Sequence, residues 1–200
     1  MTNLSVNINK FATLRNARGG NLPDLIKAAV DCERFGAQGI TVHPRPDERH
    51  IRYQDVRDLK PVLSTEFNME GYPSLKFIEL VLEIKPAQCT LVPDVPDAIT
   101  SDQGWDTIKH GVFLKEIIAL LHKAGIRVSL FTNPIEQFIE GAAKAGADRV
   151  ELYTGPYARI FQGNPQKAIE PYIACANFTS QIGMGLNAGH DLNLQNLKFL

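Results

Sequence analysis

Two hundred residues with 44% hydrophobic side chains suffice for one sizeable core, and a formal net charge of −1 excludes a global basic field that would recruit nucleic acid. The three cysteines, Cys32, Cys89 and Cys175, are far apart, odd in number and without metal-ligand spacing, which predicts reduced thiols in a cytoplasmic protein. The N-terminus has no basic leader, and no stretch approaches the ~18 apolar residues of a membrane span.

In chain order, a short strand is predicted at residues 4–8, then a loop rich in Arg, Asn and Gly at 9–21. Leu22, Leu25, Ile26, Ala29 and Val30 repeat at helical spacing, with Asn21 as cap, Pro23 in the first turn and Gly36 at the end. Gly39-Ile40-Thr41-Val42 reads as a buried strand. It runs into His43, Arg45, Arg49 and His50, a polar, basic cluster of the kind that opens a site at a strand's C-terminal end. Strands at 66–70 and 89–93 flank a helix at 74–84. A helix at 112–123 precedes a strand near 126. The next helix begins at Asn133-Pro134, with Ile135, Phe138, Ile139 and Ala142 on its buried face. A strand near 148 leads to a helix from Asn164-Pro165 towards Gln181, where Pro171 introduces a kink. A strand near 184 follows, and residues 192–200 read as a helix start.

A helix, a terminal glycine, a tight turn and a buried strand recur at Gly36, Gly125, Gly146 and Gly183. Strands alternating with helices predict parallel pairing through right-handed crossovers. Seven evenly spaced strands without a G-x-G-x-x-G fit an α/β fold of the TIM (β/α)8-barrel type better than a doubly wound sheet. The expectation is a single barrel domain over 1–200, C-terminally incomplete, with the eighth βα unit missing.

Polar residues gather at the predicted strand ends: Asn7, Asn9 and Lys10, then His43 and Arg45, Glu70, Asp94, Glu151 with Tyr153, and Asn187 to His190. A histidine and a glutamate on neighbouring strands can exchange protons with a substrate near neutral pH, and His190 can act from the opposite face. Arg18, Arg45 and His50 lie on predicted loops, where they suit phosphate or carboxylate. The residues from Asn187 to Asp191 can present backbone N–H groups to an anion. No Asp/Glu/His set has metal spacing, so the expected chemistry is metal-free and acts on an anionic substrate. Taken singly, each residue has a plainer role. Strand-end His and Glu mostly pair, cap or face water, Arg15 and Arg18 can pair with nearby acids, and Glu151 can partner an arginine. His110 and His122 sit on helical segments, and the cysteines read as small core residues.

The segments from Val6 to Gly19, Gly39 to Arg45 with Arg49-His50-Ile51, Asn68-Met69-Glu70, Leu91-Val92-Pro93 and Asn187-Ala188-Gly189-His190 together resemble the pyridoxine 5'-phosphate synthase family. The resemblance runs in order over essentially the whole chain. It implies a barrel that condenses 1-deoxy-D-xylulose 5-phosphate with 3-amino-2-oxopropyl phosphate to pyridoxine 5'-phosphate, phosphate and water, without metal or organic cofactor. By motif position it implies His43 and Glu70 as proton acceptors and His190 as proton donor. Asn7 and Arg18 match positions for the aminoketone phosphate; Arg45, His50 and Thr100 match positions for the deoxyxylulose phosphate; Glu151 matches an active-site acid. It also implies a homo-oligomer, an octamer in the family, with no nucleic-acid or membrane partner.

The chain departs from the family pattern in three places. Asn9-Lys10 stands where many relatives have Asp-His, so amide and ammonium take over one substrate contact. Asp191 replaces a frequent glycine, keeping the backbone N–H but adding a carboxylate that must turn away from a phosphate. A Gly-His pair that the family carries beyond this length is absent, from which a site lacking part of a phosphate pocket is expected. The competing readings are a truncated, inactive phosphosugar-binding barrel, or another phosphate-sugar barrel enzyme such as an aldolase, for which Lys10 is the candidate Schiff-base lysine.

Overall fold

The computed structural model describes residues 2–17, 19–94 and 101–200. It comprises two compact units. The first gathers the described residues up to 91 together with 123–127; the second gathers 92–94, 101–122 and 128–200.

In the first unit, β1 (Ser5–Asn7), β2 (Gly39–Val42), β3 (Glu66–Gly71) and β4 (Gln88–Leu91) pair in parallel, each with the next in sequence. Between them run α1 (Asn9–Ala17), α2 (Leu25–Arg34), α3 (Tyr53–Leu59) and α4 (Leu75–Ile84). The register sets Asn7 beside Thr41, Thr41 beside Asn68, Asn68 beside Gln88 and Glu70 beside Thr90. Because side chains alternate along a strand, these polar residues share one face of the sheet. Ile40, Val42, Phe67, Met69, Cys89 and Leu91, all essentially inaccessible, share the other, which the helices cover. The polar face is hydrogen-bonded within itself. Ser5 Oγ meets Thr41 Oγ1 at 2.7 Å, and the Thr90 hydroxyl donates to Asn68 Oδ1 at 3.1 Å. Arg127 donates to Gln88 at 2.9 Å and pairs with Glu66 at 2.5 Å. Buried polar groups satisfied in this way carry no desolvation penalty of an orphan.

In the second unit, β5 (Arg127–Thr132), β6 (Arg149–Tyr153) and β7 (Gly185–Gly189) are parallel, with Phe131 beside Glu151, Glu151 beside Asn187 and Tyr153 beside Gly189. Its helices are α5 (Gly111–Lys123), α6 (Glu136–Ala145), α7 (Gly155–Phe161) and α8 (Pro165–Gln181). Gly146, at φ +90°, ends α6 in the left-handed conformation that favours glycine, and its N–H returns to the carbonyls of Ala142 and Ala143. Among the described residues no helix is long and apolar enough to cross a membrane.

Seven parallel strands alternating with helices are the architecture the sequence implies, but several elements differ. The expected loop at 9–21 is largely α1, so Lys10 lies on a helix. Its buried stripe includes Arg15, only 2% exposed, and hydropathy does not count an arginine as core. Asp24, not Asn21, caps α2 by accepting the Lys27 N–H at 3.0 Å, and Leu22 stays outside the helix at 74% exposure. Helices α3 and α7 were unforeseen, each only seven residues long. Helix α6 starts at Glu136, three residues after the expected Asn133, and β4 ends at Leu91, before Pro93. Helix α8 continues through Pro171. The expected helix start at 192–200 is a single 3-10 turn, Leu197–Phe199.

Candidate active site

The residues singled out from the sequence fall into two groups, one in each unit. In the first, Asn7 at the end of β1 accepts the Asn9 N–H on its side-chain oxygen at 2.9 Å and so starts α1. The Asn9 side chain then accepts the His43 N–H at 3.0 Å, tying the helix start to the end of β2. His43 is 6% exposed, with Nδ1 3.8 Å from Glu70 Oε2, the two side chains standing at the ends of neighbouring strands. Burial, reinforced by the charges of Arg45, His50 and Arg49, holds the His43 imidazole well below its ordinary value, so it is a neutral base beside a carboxylate, not an ion pair.

Arg45 is buried at 4% exposure in the loop after β2. Arg49 pairs with Asp47 at 2.8 Å. His50 is lowered to about 4, first by burial and then by Arg45 and Arg49, with Lys10 adding in the same sense. Its Nδ1 accepts the Ile51 N–H at 2.8 Å, and its ring meets that of His43 edge to face at 6.5 Å. This group combines neutral imidazoles, a carboxylate and a buried guanidinium. It can accept a proton and hold an anion at once.

What holds this loop is not legible in the sequence. Arg15 reaches from α1 to Asp55 at 2.6 and 2.8 Å, a bidentate and buried pair, and donates to the His50 carbonyl at 3.2 Å. Asn16 Nδ2 donates to the carbonyls of His50 and Arg49 at 2.9 and 3.2 Å. Asp55 in turn accepts the Arg52 N–H at 2.7 Å at the start of α3. The plain reading of Arg15, a partner for a nearby acid, is thus the observed one. The available signal was Asp55 three residues into a helix, where a carboxylate caps.

In the second unit, Glu151 and Tyr153 lie on one face of β6. Glu151 Oε1 lies so close over Gly189 that a Cβ there would stand 2.8 Å from it. His190 follows at φ +96° and Asp191 at φ +57°, a left-handed pair of non-glycine residues. The Thr154 hydroxyl faces the carbonyls of Gly189 and His190, and Asn196 Nδ2 donates to the Asp191 carbonyl at 3.2 Å. The Tyr153 ring meets His190 edge-on at 5.3 Å, and His190 Nδ1 lies 2.9 Å from Asp191 Oδ2. The Asp191 carboxylate is therefore turned onto its own neighbour.

Arg18 and Thr100 lie outside the described residues. Cys89 and Cys175 are buried thiols pushed up by burial, Cys175 to about 11, as core residues would be. His122 pairs with Asp148 at 2.7 Å.

The sequence model of the family described as "Pyridoxal phosphate biosynthesis protein PdxJ" matches residues 4–200. The chain is 65% identical over 200 residues to "Pyridoxine 5'-phosphate synthase" of Cytophaga hutchinsonii, 64% over 200 to that of Phocaeicola vulgatus, and 60% over 199 to that of Christiangramia forsetii. In each case the match covers 100% of this chain and 84% of the relative. Among solved structures, a deoxyribose phosphate aldolase from Aeropyrum pernix superposes with a TM-score of 0.57 at 14% identity, over 94% of this chain and 74% of that one. A 4-hydroxy-2-oxoglutarate aldolase from TTHB1 gives 0.62 at 14% identity, over 98% and 76%. At such identity these likenesses establish the fold class, the TIM-type α/β architecture, and nothing of the activity.

Proposed function

The chain belongs to the pyridoxal phosphate biosynthesis protein PdxJ family, enzymes of vitamin B6 biosynthesis, and from that premise we propose that it condenses 1-deoxy-D-xylulose 5-phosphate with 3-amino-2-oxopropyl phosphate to pyridoxine 5'-phosphate, phosphate and water. The observation that carries the reading is the neutral, buried His43, 3.8 Å from Glu70 and beside the buried Arg45.

The reaction joins an amine to a ketone, forms an enol, expels phosphate and water, and ends in an aromatic ring. Each step moves a proton to or from carbon, nitrogen or a leaving oxygen, so the catalyst needs free bases, a proton donor and two anion sites. In this proposal His43 and Glu70 are the proton acceptors. His43 serves because its imidazole is already unprotonated near neutral pH. His190 returns protons to departing oxygen. Arg45, His50 and Thr100 hold the deoxyxylulose phosphate; Asn7 and Arg18 hold the aminoketone phosphate. Asn9, Lys10 and Asp191 border the substrates through amide, ammonium and backbone N–H. Glu151 is a further acid of the site. No step requires a metal ion or an organic cofactor. The proposed enzyme is a cytoplasmic homo-oligomer, a state that sedimentation would report.

The test is turnover. The chain is mixed with both phosphorylated substrates, and pyridoxine phosphate is followed by absorbance and mass. Product from this chain that vanishes in His43→Ala is the expected result. A folded chain that binds either phosphate without turnover would overturn the reading in favour of a phosphosugar-binding barrel.

A further inference from the structure

Arg15, Asn16 and Asp55 form a hydrogen-bonded group to which the proposed chemistry assigns no part. We propose that these three are positioning residues. They clamp the His50 peptide so that the His50 ring is fixed as an Nε2–H donor towards the substrate phosphate. The inference rests on the function proposed above and deepens it.

The His50 carbonyl accepts from Arg15 Nη2 at 3.2 Å and from Asn16 Nδ2 at 2.9 Å. The peptide unit is planar and trans, so the Ile51 N–H lies in the same plane and points the opposite way. Fixing the carbonyl therefore fixes the N–H. That N–H donates to His50 Nδ1 at 2.8 Å. A nitrogen that accepts a hydrogen bond carries no proton, so the neutral ring must carry its proton on Nε2. The chain of cause runs from the end of α1, through one peptide plane, to the tautomer of a site histidine.

The clamp is itself rigid. Arg15 and Asp55 are 2% and 9% exposed, and their fork-to-fork geometry leaves one orientation. Arg15 Nε also donates to Asn16 Oδ1 at 3.1 Å, and Arg52 Nη2 donates to the same oxygen at 3.0 Å, which sets the Asn16 amide with its NH2 towards the carbonyls. The second bond from Asn16, to the Arg49 carbonyl at 3.2 Å, holds the residue before His50. A purely structural tie between α1 and α3 would need only the Arg15–Asp55 pair. The three bonds to the carbonyls of Arg49 and His50 are what the positioning role requires.

Substitution of Arg15 or Asp55 strands a buried charge and endangers the fold, so the decisive variant is Asn16→Ala. It removes the two bonds that Asn16 donates to the loop carbonyls, with the two that its oxygen accepts from Arg15 and Arg52, and leaves the Arg15–Asp55 ion pair. The first readout is the 15N spectrum of the whole chain labelled at histidine, with His50 assigned by His50→Gln. The native protein is expected to show His50 as the Nε2–H tautomer, and Asn16→Ala as a mixture of both. The second readout is kinetic. KM for the deoxyxylulose phosphate rises about tenfold, as the loss of one or two hydrogen bonds implies, while kcat and KM for the aminoketone stay within about twofold. Arg57→Ala, which loses an exposed pair with Glu83 at 2.6 Å, serves as control and changes neither. A His50 tautomer that survives Asn16→Ala overturns the proposal, as does a fall in kcat with KM unmoved. If the native chain makes no product, the function reading fails on its own, and the tautomer comparison still decides the clamp.

Discussion

Lowering the pH from about 7 to about 5 is expected to destabilise the fold chiefly through His50 and His43. His50 sits at about 4 in the folded chain, against 6.5 when unconstrained. As pH falls through 6.5 the unfolded chain takes up a proton that the folded chain refuses. The stability is therefore complete above about 6.5 and is lost progressively towards about 4. A gap of that size, taken at ~1.36 kcal/mol per unit, would cost about 2 kcal/mol by pH 5. The partial exposure of His50 screens this to about 1 kcal/mol. His43, more deeply buried and lowered in the same sense, adds to the loss. The acids held low by their partners, Asp31, Glu33, Asp47 and Glu83, start from 3.8, 4.5, 3.8 and 4.5, so most of their losses fall at lower pH. The assay is urea unfolding at both pH values for the native chain and His50→Gln. The variant should lose about 1 kcal/mol less than the native chain between them. Equal losses would refute the claim that His50 is held neutral at a cost in acid.

Asp55→Ala should destabilise by about 3–5 kcal/mol in chemical denaturation, because it strands the buried Arg15 guanidinium, and Arg15→Met with Asp55→Leu should restore most of that; a loss under about 1 kcal/mol from the single change would contradict the burial argument. Gly104→Ala places a Cβ 2.3 Å from the backbone of Thr132 and Asn133, so thermal melting should reveal a loss of about 1–3 kcal/mol or more, and an unchanged Tm would show that this close approach yields freely. Glu70→Gln should lower kcat by about a hundredfold or more with little change in fold, if Glu70 accepts a proton in the condensation; native turnover in that variant would remove it from the chemistry.

What could be read from the sequence depended on whether a residue's role is local. The strands were legible because stretches such as Gly39 to Val42 are rich in β-branched residues and bounded by punctuation, and β2 is buried throughout. His43 and Glu70 were legible because each ends such a strand, and the parallel register brings neighbouring strand ends together. Helix α1 was not, since its buried face includes Arg15, whose burial depends on Asp55, forty residues away. The same long-range pairing hid the support of His50. For His190 the sequence offered a strand end; the left-handed backbone and the Thr154 contacts that hold it come from tertiary structure.

The two neutral histidines also bear on how the proposed site would behave once loaded. His43 and His50 are held unprotonated partly by the same cations, Arg45 and Arg49, with Lys10 acting on His50. Those cations are the groups an incoming phosphate would neutralise. An anion bound beside Arg45 cancels part of the positive potential that disfavours imidazolium, and so raises the proton affinity of His43. In the proposed reaction His43 would thus be free of protons before the phosphate binds, and the bound phosphate would make it a stronger base. The consequence is measurable in the two pH profiles. The acid limb of kcat/KM reports the free enzyme and that of kcat the loaded one. If His43 is the base, the kcat limb should lie at higher pH than the kcat/KM limb. Coincident limbs, or a kcat limb at lower pH, would mean that the phosphate does not neutralise the charge His43 feels, and the base would have to be sought elsewhere in the site.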